Sequence, residues 1–298
     1  MVDPTGMTVV VGYDARDEAR DALHLARAVS AATGAELRVA VVLPRAHIPI
    51  EWAVAGRWLA DELSDELFEA AEHELEGMAF ERVALDGGLG GRSAARALYE
   101  YARDERADLI VVGSSHRGVI GRVVPGSVGE SLLSSAPCAV AIAPRGFADA
   151  EPGTKGVIGV GVDRGHESEL ALREAVRLAQ LYDVRLRVLT VVPEVAELTI
   201  QAPRIEQIDA ALQKDFRQVL EDAVASVPEG VETEPILLKG DAAGALVEQS
   251  GELDLIVLGS RGYGPLRAAL AGAVSSRVLR AAACPVLIVP RASEERGG

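Results

Sequence analysis

Cysteine is scarce in this sequence, which contains only Cys138 and Cys284 among 298 residues. The two lie far apart and outside any CxxC spacing, which excludes a disulfide-stapled scaffold and a cysteine-ligated zinc site. Each precedes a short apolar run, where we interpret it as a small buried residue. The five histidines form neither HExxH nor any other metal-binding spacing, so we expect no metal centre.

Basic residues and long apolar runs are also in short supply. The chain has 30 Lys and Arg against 45 Asp and Glu, a net charge of −15, which argues against a nucleic-acid partner. No stretch approaches the ~18 apolar residues of a membrane helix. Residues 1–6 lack the basic start and apolar core of a secretory signal. We therefore expect a cytoplasmic protein with no membrane partner.

The sequence repeats itself once. The segment Asp108–Ser114 (DLIVVGS) returns 146 residues later as Asp254–Ser260 (DLIVLGS), and Val11–Asp14 (VGYD) returns 149 residues later as Val160–Asp163 (VGVD). A period this long indicates a duplicated domain rather than a solenoid unit. We place the two domains at residues 7–146 and 155–292.

Short runs of Val, Ile and Leu alternate with helical patterns in each half. The runs are apolar on both faces, as the strands of a parallel sheet covered by helices must be. They are predicted at Thr8–Gly12, Val39–Leu43, Leu109–Gly113 and Cys138–Ala143, and in the second half at Val157–Gly161, Val188–Val192, Leu255–Gly259 and Cys284–Val289. A further strand is predicted near Glu81–Leu85 and near Thr233–Leu238. Between them, Leu63, Leu67, Ala71 and Leu75 recur every four residues and predict one apolar helix face. The alternation predicts an α/β fold with a doubly wound, mostly parallel sheet in each half.

A glycine-rich loop follows the fourth strand of each half, from Gly113 to Ser127 and from Gly259 to Ala273. In doubly wound sheets, ligands bind beyond the carboxyl ends of the strands, where the winding reverses. Glycine lets backbone amides approach a phosphate closely, and a helix beginning near Gly126 or Gly272 would direct free N–H groups at the same anion. The same glycines could equally serve only to turn a tight loop.

The whole chain resembles a tandem universal stress protein, in which two such domains are fused head to tail. Nucleotide-binding members of that family carry G-x2-G-x9-G-[S/T] after the fourth strand and an Asp at the end of the first. The second half has Gly259, Gly262 and Gly272 at these spacings, followed by Ala273. The first half has Gly113, His116 and Gly126, followed by Ser127. Asp14 and Asp163 stand at the first-strand position.

The resemblance implies Rossmann-like sheets of strand order 3-2-1-4-5, paired within the chain as a pseudo-dimer through their last strands, with a homodimer of chains as a further option. It also implies an adenine nucleotide in each half: ATP, ADP or AMP, with Mg²⁺. The Asp and the backbone of Val42 or Val191, at the end of the second strand, would contact the adenosine. The glycine loop with Ser127 and Val128, or with Ala273 and Val274, would hold the ribose and phosphates.

Each half departs from the family pattern once. In the first half, His116 replaces the second glycine, where a side chain could crowd the phosphate or donate a hydrogen bond to it. In the second half, Ala273 replaces the hydroxyl residue, which removes one hydrogen bond of ~0.5–1.5 kcal/mol net. We therefore expect the second half to be the better nucleotide site.

No catalytic base, activated nucleophile or GxxxxGK[ST] motif accompanies these loops, so we do not expect an enzyme. The sequence predicts a stress-response protein that binds adenine nucleotide in a regulatory or sensor role and acts on unidentified protein partners. The alternative is a nucleotide-free interaction module of the same family, acting by dimerisation and docking. A third hypothesis, an adenylating enzyme, lacks the SGGxDS, HIGH and KMSKS signatures.

Overall fold

The structure, a computed structural model, describes residues 6–43, 53–87, 94–115, 119–150, 155–194, 202–260 and 274–290. The chain divides into two compact units, with the boundary between Glu151 and Pro152. Each unit has its own sheet and helices, so each is described separately below.

The first unit alternates strand and helix without interruption. Its elements are β1 (Thr8–Gly12), α1 (Asp17–Thr33), β2 (Glu36–Leu43), α2 (Ala53–Leu75), β3 (Glu81–Asp86), α3 (Ala94–Asp104), β4 (Leu109–Gly113), α4 (Ser127–Ser135) and β5 (Ala139–Ala143). The sheet order is β3-β2-β1-β4-β5, and these strand pairs run parallel. The order 3-2-1-4-5 expected from the family resemblance is therefore confirmed.

The second unit repeats this plan. Its elements are β6 (Val157–Gly161), α5 (His166–Tyr182), β7 (Arg185–Val192), α6 (Ala202–Ala225), β8 (Thr233–Lys239), α7 (Ala242–Ser250), β9 (Leu255–Gly259), α8 (Val274–Val278) and β10 (Val286–Val289). Parallel pairs join β8 to β7, β7 to β6, β6 to β9 and β9 to β10. Numbered within the unit, this order is again 3-2-1-4-5.

The sequence predicts the inner strands well because they are buried on both faces, whereas β3 and β8 are partly exposed. Val9, Val10 and Val11 of β1 are fully buried, as are Ile256 and Val257 of β9. The bounds differ at three places in each half. The third strands end one residue later than predicted, at Asp86 and Lys239. The second strands begin earlier than predicted, at Glu36 and Arg185, and the last strands begin later, at Ala139 and Val286. Cys138 and Cys284 precede those last strands and are both buried, as predicted.

The predicted apolar face of α2 is wrong at its amino-terminal end. Phe68, Ala71 and Leu75 are buried together with Ser64, whereas Leu63 is 42% exposed. A spacing of four residues drifts against the 3.6-residue helical repeat, so Leu63 lies about 120° around the helix from Leu75. Ser64, eleven residues before Leu75, lies only about 20° away and takes the inward position instead.

An arginine near the start of the second strand joins three elements in each unit. The side chain of Arg187, on β7, is only 10% exposed; its Nε lies 2.9 Å from Glu234 Oε2 on β8, and its Nη1 lies 2.9 Å from Glu252 Oε2, just after α7. In the first unit, Arg38 of β2 lies 3.0 Å from Glu81 of β3 and 2.8 Å from Glu105, just after α3. The repeat suggests that this cluster fixes the third strand and third helix against the sheet.

Replacing Arg187 by methionine should destabilise the second unit by about 1–3 kcal/mol, because hydrogen bonds to charged partners are lost at a largely buried position. The matched control is Arg185→Met on the same strand, where the pair with Glu232 is 43% and 71% exposed and its loss should cost under about 1 kcal/mol. Urea unfolding followed by circular dichroism measures both. Equal losses for the two variants would contradict the role of the Arg187 cluster.

Candidate functional site at the carboxyl edge of each sheet

The junction between β1 and α1 presents a carboxylate at the point where the winding reverses, since β1 pairs with both β2 and β4. Asp14 is exposed, and its Oδ1 accepts a hydrogen bond from the Arg16 amide at 3.2 Å. The Arg16 guanidinium lies 3.5 Å from Oδ2 of the same carboxylate. Tyr13, just before it, is buried, and burial raises the pKa of its hydroxyl, with a further contribution from Glu74.

The equivalent junction in the second unit has the same turn with different side chains. Asp163 Oδ1 accepts a hydrogen bond from the Gly165 amide at 2.8 Å. Gly165 stands where the first unit has Arg16, so no side chain extends from that position. Arg164 pairs instead with Asp215 of α6, at 3.0 Å. In each unit, one oxygen of the aspartate carboxylate is thus held by the backbone amide of the residue two positions later in the chain.

The second strand bonds to each junction through a backbone carbonyl. The Tyr13 amide donates to Ala40 O at 2.9 Å, and the Val162 amide donates to Leu189 O at 2.8 Å. Successive strand residues direct their backbone groups to opposite sides, so Val42 and Val191, two residues further on, direct theirs toward the same junctions. The strands end one residue after them, at Leu43 and Val192 as predicted, and the carbonyl of each last residue accepts an amide from the other side.

Gly113 and Gly259, the first glycines of the two motifs, are required by packing. A Cβ on Gly113 would overlap the carbonyl oxygen of Glu18 in the first turn of α1. A Cβ on Gly259 would lie 2.6 Å from the carbonyl oxygen of Glu167 in the first turn of α5. The missing side chain lets the first helix approach the fourth strand closely. This packing role is one that the sequence, which favours phosphate binding or a tight loop for these glycines, does not predict.

The loop after β4 in the first unit returns to the sheet before α4 begins. Ser114 is 2% exposed and donates to Ala143 O at 2.7 Å, and the Ser115 amide donates to Val124 O at 2.6 Å. Gly126 is the N-cap of α4 and has no side chain to cap it. The helix therefore begins at this edge with the amides of its first turn, including those of Ser127 and Val128.

The remaining predicted site residues are divided between described and undescribed parts of the chain. Val274 begins the described part of α8 and is 38% exposed. His116, Gly262, Gly272 and Ala273 lie outside the described residues. Among the described residues, Asp14 and Asp163 follow directly after residues whose amides bond to β2 and β7, the strands that carry Val42 and Val191. Gly113 ends the neighbouring strand β4, Gly126 is the N-cap of α4, and Ser127 and Val128 lie in its first turn.

A charged pair missed by the sequence analysis also lies at this edge of the second unit. Asp241 follows β8, caps α7 by accepting the Gly244 amide at 2.9 Å, and binds both terminal nitrogens of Arg277, at 2.6 and 2.7 Å. The Arg277 guanidinium lowers the pKa of Asp241 below its ordinary value. Since this arginine is already engaged, it contributes little net positive charge at the edge.

Within the part of the chain that the structure describes, no three His, Cys, Asp or Glu side chains are grouped to hold a metal ion. Of the described helices, none is long and apolar enough to cross a membrane.

Known proteins match the chain along its whole length. The model of the universal stress protein family matches residues 7–144 and again 156–290. Universal stress protein Rv2319c of Mycobacterium tuberculosis is 29% identical over 303 residues, covering 95% of this chain and 100% of that protein. A universal stress protein of Mycolicibacterium smegmatis is 28% identical over 295 residues, covering 94% of this chain and 96% of its own.

A solved structure shows the same fold. The crystal structure of a universal stress protein from Archaeoglobus fulgidus matches with a TM-score of 0.66 at 18% identity, over 97% of both chains. Because the family model matches the two halves in succession, and full-length relatives match across both, this chain belongs to the universal stress protein family as a tandem, two-domain member.

Proposed function

We propose that the chain binds an adenine nucleotide at the carboxyl edge of its sheets, and that the second half is the stronger site. The observation that supports the proposal is an exposed carboxylate, Asp14 or Asp163, repeated in each unit at the point where the winding reverses, directly after the residue whose amide bonds to the second strand. Val42 and Val191 lie on those second strands, two residues beyond the bonded carbonyl. A carboxylate accepts hydrogen bonds from ribose hydroxyls, and a strand-end carbonyl accepts from an adenine amino group. The two acceptors suit the two ends of adenosine.

The residues present also suit the phosphates. The start of α4 follows Gly126, with no side-chain cap, so the amides of Ser127 and Val128 are the donors that an anion would use. By sequence, Ala273 and Val274 hold the equivalent positions in the second half, with Gly262 and Gly272 before them. In this proposal Mg²⁺ arrives with ATP or ADP, bound mainly by the phosphates, as it commonly is in nucleotide sites.

Asp14 and Asp163 differ in what surrounds them. The carboxylate of Asp14 has the Arg16 guanidinium 3.5 Å away, a cation that a ligand must displace or share. At Asp163, Gly165 stands at the position of Arg16, and the neighbouring Arg164 pairs with Asp215. This difference agrees with the ranking derived from His116, and it supports one stronger and one weaker site per chain.

The proposed biological role is regulatory rather than catalytic. Ser114, a hydroxyl beside the proposed site, is buried and donates to a backbone carbonyl, so it is not available as a nucleophile. We propose that bound nucleotide alters how the chain engages protein partners during stress, in the cytoplasm. This role makes the bound state, rather than turnover, the quantity to measure.

Calorimetric titration of nucleotide-free protein tests the proposal. We expect ATP, ADP and AMP to bind with one tighter site per chain. GTP should bind about tenfold or more weakly, because its ring carbonyl would face the Val191 carbonyl without a hydrogen bond. Equal affinity for ATP and GTP would remove the adenine-reading role of the strand end. No heat with any nucleotide, with or without Mg²⁺, would contradict the proposed function.

A further inference from the structure

The hydroxyl of Ser168 fixes the backbone of Asp163 on both sides of its Cα. Ser168 is 7% exposed, on the first turn of α5. Its Oγ accepts the Asp163 amide at 3.2 Å and lies 2.8 Å from the carbonyl oxygens of both Asp163 and Gly165, either of which can accept its single proton. Because one buried hydroxyl holds the Asp163 backbone, it also sets the direction of the Asp163 side chain.

The first unit lacks this device. Ala19 occupies the position equivalent to Ser168, 149 residues earlier, and has no hydroxyl to bridge the turn. Ala15, the neighbour of Asp14, adopts φ +59°, in the left-handed region that residues with a Cβ rarely occupy, whereas its counterpart Arg164 does not. The Asp14 carboxylate is also paired with Arg16. The two junctions therefore hold equivalent carboxylates by different means.

We infer that Ser168 is a positioning residue for nucleotide binding in the second half: it presets Asp163 to accept the ribose or adenine of the ligand. The inference rests on the proposed function, and it names what makes the second site the stronger one. A loop already ordered in its binding geometry avoids the ordering cost at the moment of binding, which raises affinity without any added contact. In this role the Ser168 hydroxyl acts through its hydrogen bonds to backbone atoms of its own junction, not by touching the ligand.

Two measurements on Ser168→Ala test the inference, one without ligand and one with it. In ligand-free protein, hydrogen exchange at the Asp163 and Gly165 amides should accelerate about tenfold or more, because those amides lose an ordered turn. Amides of β6 and β9 should not change. With ATP or AMP, the affinity of the tighter site should fall about tenfold, because the junction must then be ordered at the moment of binding.

Rescue and coupling separate positioning from a purely structural effect. Ser168→Thr keeps a hydroxyl and should restore most of the affinity. Ser168→Ala is also combined with Asp163→Asn, and the weakened binding is measured at high nucleotide concentration. In that background, Ser168→Ala should lower the logarithm of the affinity by less than about half of what it does alone. Ala19→Ser is the matched control in the first half, and it should leave the tighter site unchanged.

The outcomes distinguish this inference from the proposed function. Faster exchange with unchanged nucleotide affinity would overturn the positioning role, as would an equal decrease with and without Asp163. If the unaltered protein binds no nucleotide while Ser168→Ala still accelerates exchange, the proposed function fails and Ser168 is only a structural residue. If nucleotide binds and Ser168→Ala has neither effect, the inference fails and the proposed function stands.

Discussion

Gly113→Ala should destabilise the first unit by about 3 kcal/mol, near the upper end of the usual cost of overpacking. The added Cβ would overlap the carbonyl oxygen of Glu18, a backbone atom in the first turn of α1. That helix cannot retreat without separating Ala22, Leu23 and other buried residues from the sheet. Gly259→Ala should cost less, about 1–3 kcal/mol, because its Cβ would lie 2.6 Å from the Glu167 oxygen, a smaller overlap.

Gly129→Ala is the matched control for Gly113→Ala. It lies on α4, where an added Cβ would be 3.5 Å from Pro125 and 3.6 Å from Ile142, ordinary contact distances. Alanine also favours the helix by about 0.5–1 kcal/mol, so this variant should be as stable as the original protein or slightly more stable. Thermal and urea unfolding measure all three variants. A Gly113→Ala protein with unchanged stability would contradict the close approach of α1 to β4.

The packing role of Gly113 and Gly259 changes how the family motif is interpreted in this chain. Loss of nucleotide binding in an alanine variant at either position would follow from a displaced helix, whether or not the glycine touches phosphate. Tests of the phosphate loop should therefore use positions outside this contact. Gly126, whose added Cβ would meet only Ser115 at 3.9 Å, is one such position.

Asp163→Ala should lower the ATP affinity of the tighter site about 10- to 150-fold. Hydrogen bonds to a charged acceptor contribute about 1.5–3 kcal/mol each, and the alanine variant loses the carboxylate without disturbing a buried side chain. Asp14→Ala should affect only the weaker site, because Asp14 belongs to the first half, where the Arg16 guanidinium already lies near its carboxylate. Calorimetric titration of the two variants separates the sites.

Asp222→Ala is the control for these charge removals. Asp222 is an exposed carboxylate on α6 that accepts a hydrogen bond from Gln218 at 2.8 Å. It lies about two helical turns beyond Asp215, the residue that pairs with Arg164. Its removal changes the net charge by the same amount and should leave both affinities unchanged. If Asp14→Ala abolishes the tighter site and Asp163→Ala spares it, the ranking of the two halves is reversed.

The duplicated sheet was predictable from sequence because its signal is local and strong. Strands buried on both faces appear as unbroken runs of Val, Ile and Leu, and each run occurs twice. The face of α2 was not predicted correctly, because Leu63 and Leu67 fit a spacing of four that a 3.6-residue helix does not keep over three turns. The burial of Ser64 in place of Leu63 is settled by tertiary packing.

The candidate site was predictable in its acidic residues but not in what holds them. Asp14 and Asp163 follow recognisable first strands, so their position at the sheet edge could be derived from the sequence. The contact of Gly113 with Glu18 joins residues 95 positions apart and left no local signal. Ser168 did leave one, since it is a hydroxyl residue on the first turn of a helix where the other half has Ala19.

The most direct test of adenine-nucleotide binding is to denature freshly purified protein and to identify the released nucleotide by mass spectrometry, with its amount per chain. We expect about one adenine nucleotide per chain. It should be lost in the Asp163→Ala protein and retained in the Asp14→Ala protein. Release of none, with no uptake when ATP and Mg²⁺ are then added, would contradict nucleotide binding and favour the nucleotide-free interaction module.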